Sequence, residues 1–204
     1  MRRLTDENAA ASIPSPSSTP LARQAGEHLV HVNLTEKGDA MSVVTHVSDP
    51  RVVRATFAQV PSGVAALAAT VDGIDHVLVA STFTVGVSLD PPLVMFAVQR
   101  TSSTWPRLRM ADRIGISVLG TDQGELCRRL AGPDRAARLH GVPLERALDD
   151  AIFVRGASVW MGCRVHAEHP AGDHDVVVLE VVTLESDDDV DPLVFHGSRF
   201  RALD

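Results

Sequence analysis

Lysine is almost absent from this chain: Lys37 is the only one, and acidic residues outnumber basic ones 26 to 19, for a formal charge of -7. That balance counts against nucleic acid as the main partner, because phosphate-backbone binding needs a basic surface. It leaves room for one bound phosphate, which a few hydroxyls, amides and an arginine can hold. Cysteine is nearly as scarce. Cys127 and Cys163 are too few for a disulfide framework or a four-cysteine zinc site. No apolar run reaches the roughly 18–20 residues of a membrane helix, and Met1 to Pro20 lacks the apolar segment of a signal peptide. No Gly-x-Gly-x-x-Gly fingerprint occurs, which counts against a Rossmann nucleotide site. No Gly-x-Ser-x-Gly elbow occurs either, and Ser117 falls within an expected strand, so a hydrolase finds no nucleophile here. These absences predict a soluble, cytoplasmic protein without a membrane partner, in a reducing compartment.

What is present is a 204-residue chain, 45% hydrophobic, enough for one domain with a sizeable core. Residues 1–47 stand apart. The stretch ASIPSPSSTP, Ala11 to Pro20, is too rich in Ser and Pro to offset its ordering entropy by burial, so a flexible tail is expected. Met41 is a second candidate start, and a docking arm across a partner subunit is the alternative use of the tail. The folded domain is expected over 48–204. Ser48 or Asp49 caps a helix over Arg51 to Val60, with Pro50 in its first turn. Strands are expected over Gly63–Val71, His76–Phe83, Pro92–Gln99 and Arg113–Leu119, with Asp72-Gly73 turning the first pair. Thr121 to Leu130 reads as a helix capped by Thr121, and Asp134 to Asp150 as mixed helix and loop. Ser158 to Ala167 alternates with period two, hence a strand with one wet face. His174 to Leu184 carries valines on both faces, hence a strand covered on both sides, by a second subunit among other possibilities. Pro192 to Phe195 is a last short strand. Many short strands and few helices predict a mainly β fold, a closed antiparallel barrel with short peripheral helices.

Three stretches carry chemistry. In ASTFTVGVSLDPPLVMFAVQ, Ala80 to Gln99, a strand runs into a loop of small and hydroxyl residues before the next apolar strand. Small side chains let a flat heteroaromatic ring approach the backbone, and Ser81 and Thr82 can bond its heteroatoms; a polar loop between barrel strands is the plainer reading. In RTSSTWPRLR, the four hydroxyl residues Thr101, Ser102, Ser103 and Thr104 precede a helix with Pro106 in its first turn, flanked by Arg100 and Arg107. Hydroxyls and free amides there make an anion site, and ordinary capping by Ser103 or Thr104 is the alternative. A ring loop followed one strand later by a phosphate site suits a mononucleotide. In HAEHPAGDH, His166 lies on a strand while His169 and His174 flank a Pro-Gly turn: a polar hairpin, a metal cluster, or a placement of His174 at a strand start facing a pocket.

Together these stretches resemble the flavin reductase family with an FMN-binding split barrel, the reductase components of two-component monooxygenases. PSGVAALAAT, ASTFTVGVSLDPPLV, GDHDVVVLEV and PLVFHGSRF carry the resemblance, over roughly Val53 to Leu203. It implies a Greek-key split barrel, FMN or FAD as flavin, NADH or NADPH as co-substrate, and hydride transfer to the flavin, a step in which the protein mainly positions the reactants. It implies a homodimer and an oxygenase component as partner, with no metal. By resemblance, Ala80, Ser81, Thr82 and Phe83 line the flavin ring. Thr101, Ser102, Ser103 and Thr104 hold the phosphate, with Arg100 near. Gly172 and Asp173 lead to His174, which faces the nicotinamide. Two departures stand out: Val79 occupies a position where threonine is frequent, and the loop from Phe83 to Ser88 looks one residue longer, with Gly86 absorbing the insertion. A flavin carrier without reductase activity and a flavoenzyme acting on an organic substrate are the rival readings. The acidic stretch Ser186 to Asp191 reads as a solvated turn.

Overall fold

The computed structural model describes residues 49–203. The expected tail over 1–47, and Ser48 as a cap, lie outside the described residues. Helix α1 (Pro50–Phe57) is capped by Asp49, whose carboxylate accepts the Arg51 amide at 2.8 Å. It stops at Phe57 rather than Val60, because Gln59 and Val60 bond to Thr56 and Phe57 in tighter turns before Pro61. Next come β1 (Ser62–Gly63), β2 (Ala65–Val71), β3 (Ile74–Ala80), β4 (Thr84–Leu89) and β5 (Pro92–Gln99). A short helix α2 (Trp105–Leu108) leads into β6 (Ile114–Val118). A 3-10 turn over Thr121–Gln123 feeds α3 (Gly124–Leu130). Then follow β7 (Leu144–Arg146), β8 (Ile152–Val154), β9 (Val159–Ala171), β10 (His174–Ser186), β11 (Val194–His196) and β12 (Arg199–Arg201). Among the described residues no helix is long and apolar enough to cross a membrane.

The fold is a mainly β split barrel. Its main sheet has seven strands in the order β3-β2-β6-β9-β10-β5-β4, antiparallel throughout. Strand β2 explains why its sequence is almost wholly apolar. Ala65, Leu67 and Ala69 face a core inside the barrel with Phe96, Ile114, Ile116 and Leu179. Ala66 and Ala68 face a second core with Leu119, Leu130, Ile152 and Val154. Alternation puts successive side chains on opposite faces, so a strand buried on both sides must be apolar at every position. The turn between β2 and β3 has Asp72 and Gly73 both at positive φ (51° and 75°), the twist that a two-residue hairpin prefers.

Several local expectations need correction. The stretch Phe83 to Ser88 is largely strand: β4 pairs with β5 through a register break between Thr84 and Ser88, with Gly86 at φ 72° inside the break. Val85, Gly86 and Val87 there stand opposite Val94 alone, a bulge beyond which pairing resumes. Thr121 does not cap α3. Its hydroxyl donates to the Asp191 carbonyl instead, and Gln123 closes the turn by accepting the Gly120 amide. No helix forms between Asp134 and Asp150, where β7 appears instead. Strand β9 runs on through Pro170 to Ala171, so the reversal before β10 falls at Gly172-Asp173 and not at a Pro-Gly turn. The far end of β10 is not covered in this chain: Val182 and Leu184 are exposed.

Strand β8 crosses the outer face of β6 at close quarters. The Ser117 hydroxyl, fully buried, accepts the Val154 amide at 2.9 Å in place of a ladder partner. One turn of the pleat away, Gly115 lies so near β8 that an added Cβ would stand 2.2 Å from the Ile152 carbonyl oxygen. A backbone atom cannot swing aside. Gly115→Ala should therefore cost about 3 kcal/mol, the upper part of the range for overpacking, read as a lower urea midpoint at unchanged slope.

Candidate functional site

The outermost strands of the sheet, β3 and β4, are neighbours in sequence, joined only by Ser81, Thr82 and Phe83. The join is fixed by one hydroxyl. Thr82 Oγ1 accepts the Ala97 amide at 3.0 Å and donates to the Ala97 carbonyl at 3.2 Å. Ala97 lies beyond the last β4–β5 pair at Met95, so its edge groups have no strand partner on that side. The Thr82 side chain stands in for the missing strand.

Where this closure meets the end of β5, a cleft of about 440 Å³ opens. Its walls come from four segments: Leu78 to Thr82, Ala97 to Gln99, Thr101 to Thr104, and His174, with Arg138 from a fifth. Ala80, Ser81 and Thr82 thus meet the hydroxyl turn and His174 around one space. Ser81 is exposed with no hydrogen-bond partner among the described residues, whereas the Thr82 hydroxyl is engaged in the closure. Phe83 is not in the wall; it packs against the barrel core behind the loop.

The turn at Thr101 to Thr104 is held from within. Ser102 donates its amide to the Gln99 carbonyl at 2.9 Å, and its hydroxyl accepts the Trp105 amide at 3.2 Å. Ser102 is therefore the residue that caps α2, not Ser103 or Thr104; Thr104 makes no side-chain cap bond. Trp105 anchors the turn by packing edge-on against Phe96, ring centroids 5.2 Å apart. The backbone amides of Thr101, Ser103 and Thr104 have no acceptor among the described residues. Thr104 is buried, while Thr101 and Ser103 are exposed; consecutive free amides in such a turn form a concavity that an anion can fill.

Arg138 was not legible as a site residue. It donates to the Gly132 carbonyl at 2.7 Å and the Val77 carbonyl at 3.0 Å, which fixes its guanidinium beside Thr104 Oγ1 at 3.4 Å. It belongs to a segment without regular structure, far along the chain from the hydroxyl turn, and no local pattern marks it. Arg100, by contrast, turns away from the cleft wall. Its Nε bonds Asp175 at 3.1 Å and its amide bonds the Asp173 carbonyl.

His174 opens β10. The register pairs it with Ala171, so Gly172 and Asp173 form a two-residue turn, with Gly172 at φ 64° as such a turn demands. His174 Nδ1 lies 2.7 Å from the Asp173 carboxylate, and that bond holds the Asp173 carboxyl below the usual carboxylate range. With Nδ1 committed, Nε2 is the ring atom left for a ligand. His166 and His169 do not join it, and among the described residues no three His, Cys, Asp or Glu side chains converge on a metal position. The thiols are equally remote from chemistry: both are buried, and burial pushes the Cys163 thiol up to about 12.

Residues 57–204 match the family model described as flavin reductase like domain. The flavin reductase of Pseudomonas putida is 32% identical over 158 residues, 77% of this chain and 92% of that protein. An NADH-dependent flavin reductase of Rhodococcus sp. is 38% identical over 135 residues, 63% of this chain and 70% of that protein. Among solved structures, BorF, the flavin reductase component of a bacterial two-component tryptophan halogenase, is 31% identical with TM-score 0.70, covering 76% of this chain and 98% of its own.

The closure can be tested without any ligand. Thr82→Val keeps the shape and removes both bonds to Ala97, leaving its edge groups unpaired. A loss of about 1–3 kcal/mol in unfolding free energy is expected, with faster hydrogen exchange at the Ala97 amide. Thr82→Ser should retain most of both.

Proposed function

The chain belongs to the flavin reductase family, and from that premise we propose that it catalyses reduction of flavin by NADH or NADPH and passes the reduced flavin to a partner oxygenase. The observation that carries this reading is the single cleft gathering the Ala80–Thr82 segment, the hydroxyl turn and His174. We take residues 48–204 as the reductase domain and 1–47 as an appended segment.

The residues fit a flavin's mononucleotide part. The Ala80 to Thr82 backbone presents a wall of small side chains to a flat ring, and Ser81 offers it a free hydroxyl. The free amides of Thr101, Ser103 and Thr104 suit a phosphate, with Ser102 holding the turn and Arg138 supplying positive charge. Flavin supplies the two-electron acceptor and reduced nicotinamide the hydride. The protein's share is positioning. Gly172 and Asp173 set the turn that brings His174 to the mouth of the cleft. When the ring is neutral, Nδ1 carries its proton to Asp173, and Nε2 accepts a hydrogen bond, as from the nicotinamide carboxamide. Arg100 steadies the start of β10 through Asp175, and Phe83 backs the ring-facing loop from the core side. Either FMN or FAD presents the same ring and first phosphate to this cleft.

A second copy of the chain completes the picture. Val85, Val87 and Leu89 on β4 are exposed, and so are Val182 and Leu184 at the far, C-terminal end of β10. Strand β4 also ends the sheet, with an unpaired edge. An edge strand carrying exposed aliphatics is a surface that proteins cover, and a twofold dimer covers it with the same surface.

Anaerobic mixing of protein, flavin and NADH should bleach the visible absorbance of oxidised flavin in a protein-dependent way, repeated with NADPH to rank the donors. Flavin binding without bleaching by either donor would leave a carrier or a substrate-specific flavoenzyme. His174→Ala should lower kcat/KM for NADH oxidation about 10- to 100-fold through lost positioning, with flavin affinity nearly unchanged; unaltered turnover would remove His174 from the site. For assembly, Val85→Glu with Leu89→Glu should convert a dimer to monomer in sedimentation velocity.

A further inference from the structure

Next to the cleft lies a second cavity of about 260 Å³. The two share Ser103, Thr104 and Arg138, so one ligand can run from the first space into the second past the hydroxyl turn. The new walls are β3 from Ile74 to Val77, Arg107 of α2, and Arg135.

Three guanidinium groups face this cavity, and none has a carboxylate partner among the described residues. Arg107 makes no side-chain bond among the described residues. Arg135 donates only to the Ser103 hydroxyl, at 2.6 Å. Arg138 bonds carbonyls and Thr104. The one carboxylate in the wall, Asp75, is spent on Arg146 in two bonds of 2.8 and 2.6 Å, with Thr70 as a further donor. Acid is not scarce in a chain of net charge -7. Elsewhere Arg100, Arg109, Arg113, Arg155 and Arg164 each sit against a carboxylate. Burial, and then the charge of Arg135, pull the Arg138 pKa below the usual arginine value, the direction expected of cations crowded together without an anion. A single phosphate on the turn's free amides does not need three arginines. The rest of the wall is His76 with the apolar Ile74, Val77 and Ala136; Ile74 is 61% exposed and lies along the cavity, an aliphatic surface of the kind a purine ring rests on.

We propose that this second cavity takes the adenosine-phosphate end of a flavin dinucleotide, so that the chain selects FAD over FMN. The inference rests on the flavin reading of the first cleft. Arg107 and Arg135 meet the second phosphate, Arg138 lies between the two phosphates, and the adenine lies against Ile74.

Equilibrium dialysis without nicotinamide tests it. Wild-type protein should bind FAD about tenfold or more tightly than FMN, and AMP, which carries the adenosine and the second phosphate alone, should compete with FAD far better than with FMN. Arg107→Glu should bring FAD down to the affinity of FMN while leaving FMN nearly unchanged. Equal affinities in the wild type, equal loss of both flavins in Arg107→Glu, or absence of AMP competition would each overturn the proposal while leaving the flavin reading intact. Failure of either flavin to bind would remove that reading and the proposal together. If instead FAD and FMN bind alike and NADPH binds more tightly than NADH, with Arg107→Glu abolishing the difference, the arginines belong to the nicotinamide nucleotide and the proposal fails. Should Arg107→Glu not fold, the wild-type affinity ratio and the AMP competition still decide.

Discussion

Three residues, Ser81 to Phe83, must join the two outermost strands of a seven-stranded sheet. Laid flat, such a sheet would hold its edges roughly 29 Å apart at ordinary strand spacing. The link from Ala80 to Thr84 spans at most roughly 14 Å. The sheet therefore has to curl until its edges nearly meet, and the barrel is a consequence of that short connection. The Thr82 hydroxyl then holds the meeting point by serving both backbone groups of Ala97. Because β3 and β4 end the sheet without pairing to each other, closure is incomplete, and the split lies beside the Ala80–Thr82 wall.

The rest of the site follows from what hangs on that split. Strand β5 passes the closure and runs straight into the hydroxyl turn, so the distance between ring wall and phosphate turn is set by a rigid strand. The β9–β10 hairpin is long, and β10 pairs with β5 from His174↔Gln99 to Glu180↔Leu93. That register brings the tip of the hairpin to the end of β5, which is why a histidine distant in sequence stands across from Thr101. The Arg100 amide bonding the Asp173 carbonyl ties turn to tip. Each functional group thus rests on paired strands or on a turn bonded to them, as a site that works by positioning requires.

Much of this was legible in the sequence where a residue's local chemistry dictates its conformation. Asp72-Gly73 marks a hairpin because few residues tolerate positive φ, and the apolar runs of β2, β5 and β6 mark strands buried in the barrel. The misses share a different cause. Strand β4 reads as a loop because its hydroxyls and Gly86 lack a buried face; what makes it a strand is β5 beside it. Thr121 looks like a cap, yet its hydroxyl is drawn to Asp191, a tertiary contact no window of sequence contains. Arg100 looks like a phosphate ligand by adjacency, but Asp175 on the neighbouring strand claims it. Arg138 shows the converse, a site residue placed by carbonyls of Gly132 and Val77 that lie far from the turn it serves.

Charge is the quantity that composition misrepresents most here. A net charge of -7 argues correctly against a polyanion spread over the surface, but it describes the whole chain and not a cavity. Binding of a small anion depends on the few groups within several ångströms of it, and the low-dielectric walls of a cleft strengthen those interactions. With Lys37 the only lysine, the positive charge on the described residues falls to arginine, whose planar fork suits phosphate oxygens and keeps its proton when partly buried. Most arginines flanking the barrel strands are neutralised by carboxylates across the sheet, which leaves the surface acidic. The three around Ser103 and Thr104 are not, so an acidic protein carries a positive pocket beside a turn whose backbone amides are free among the described residues.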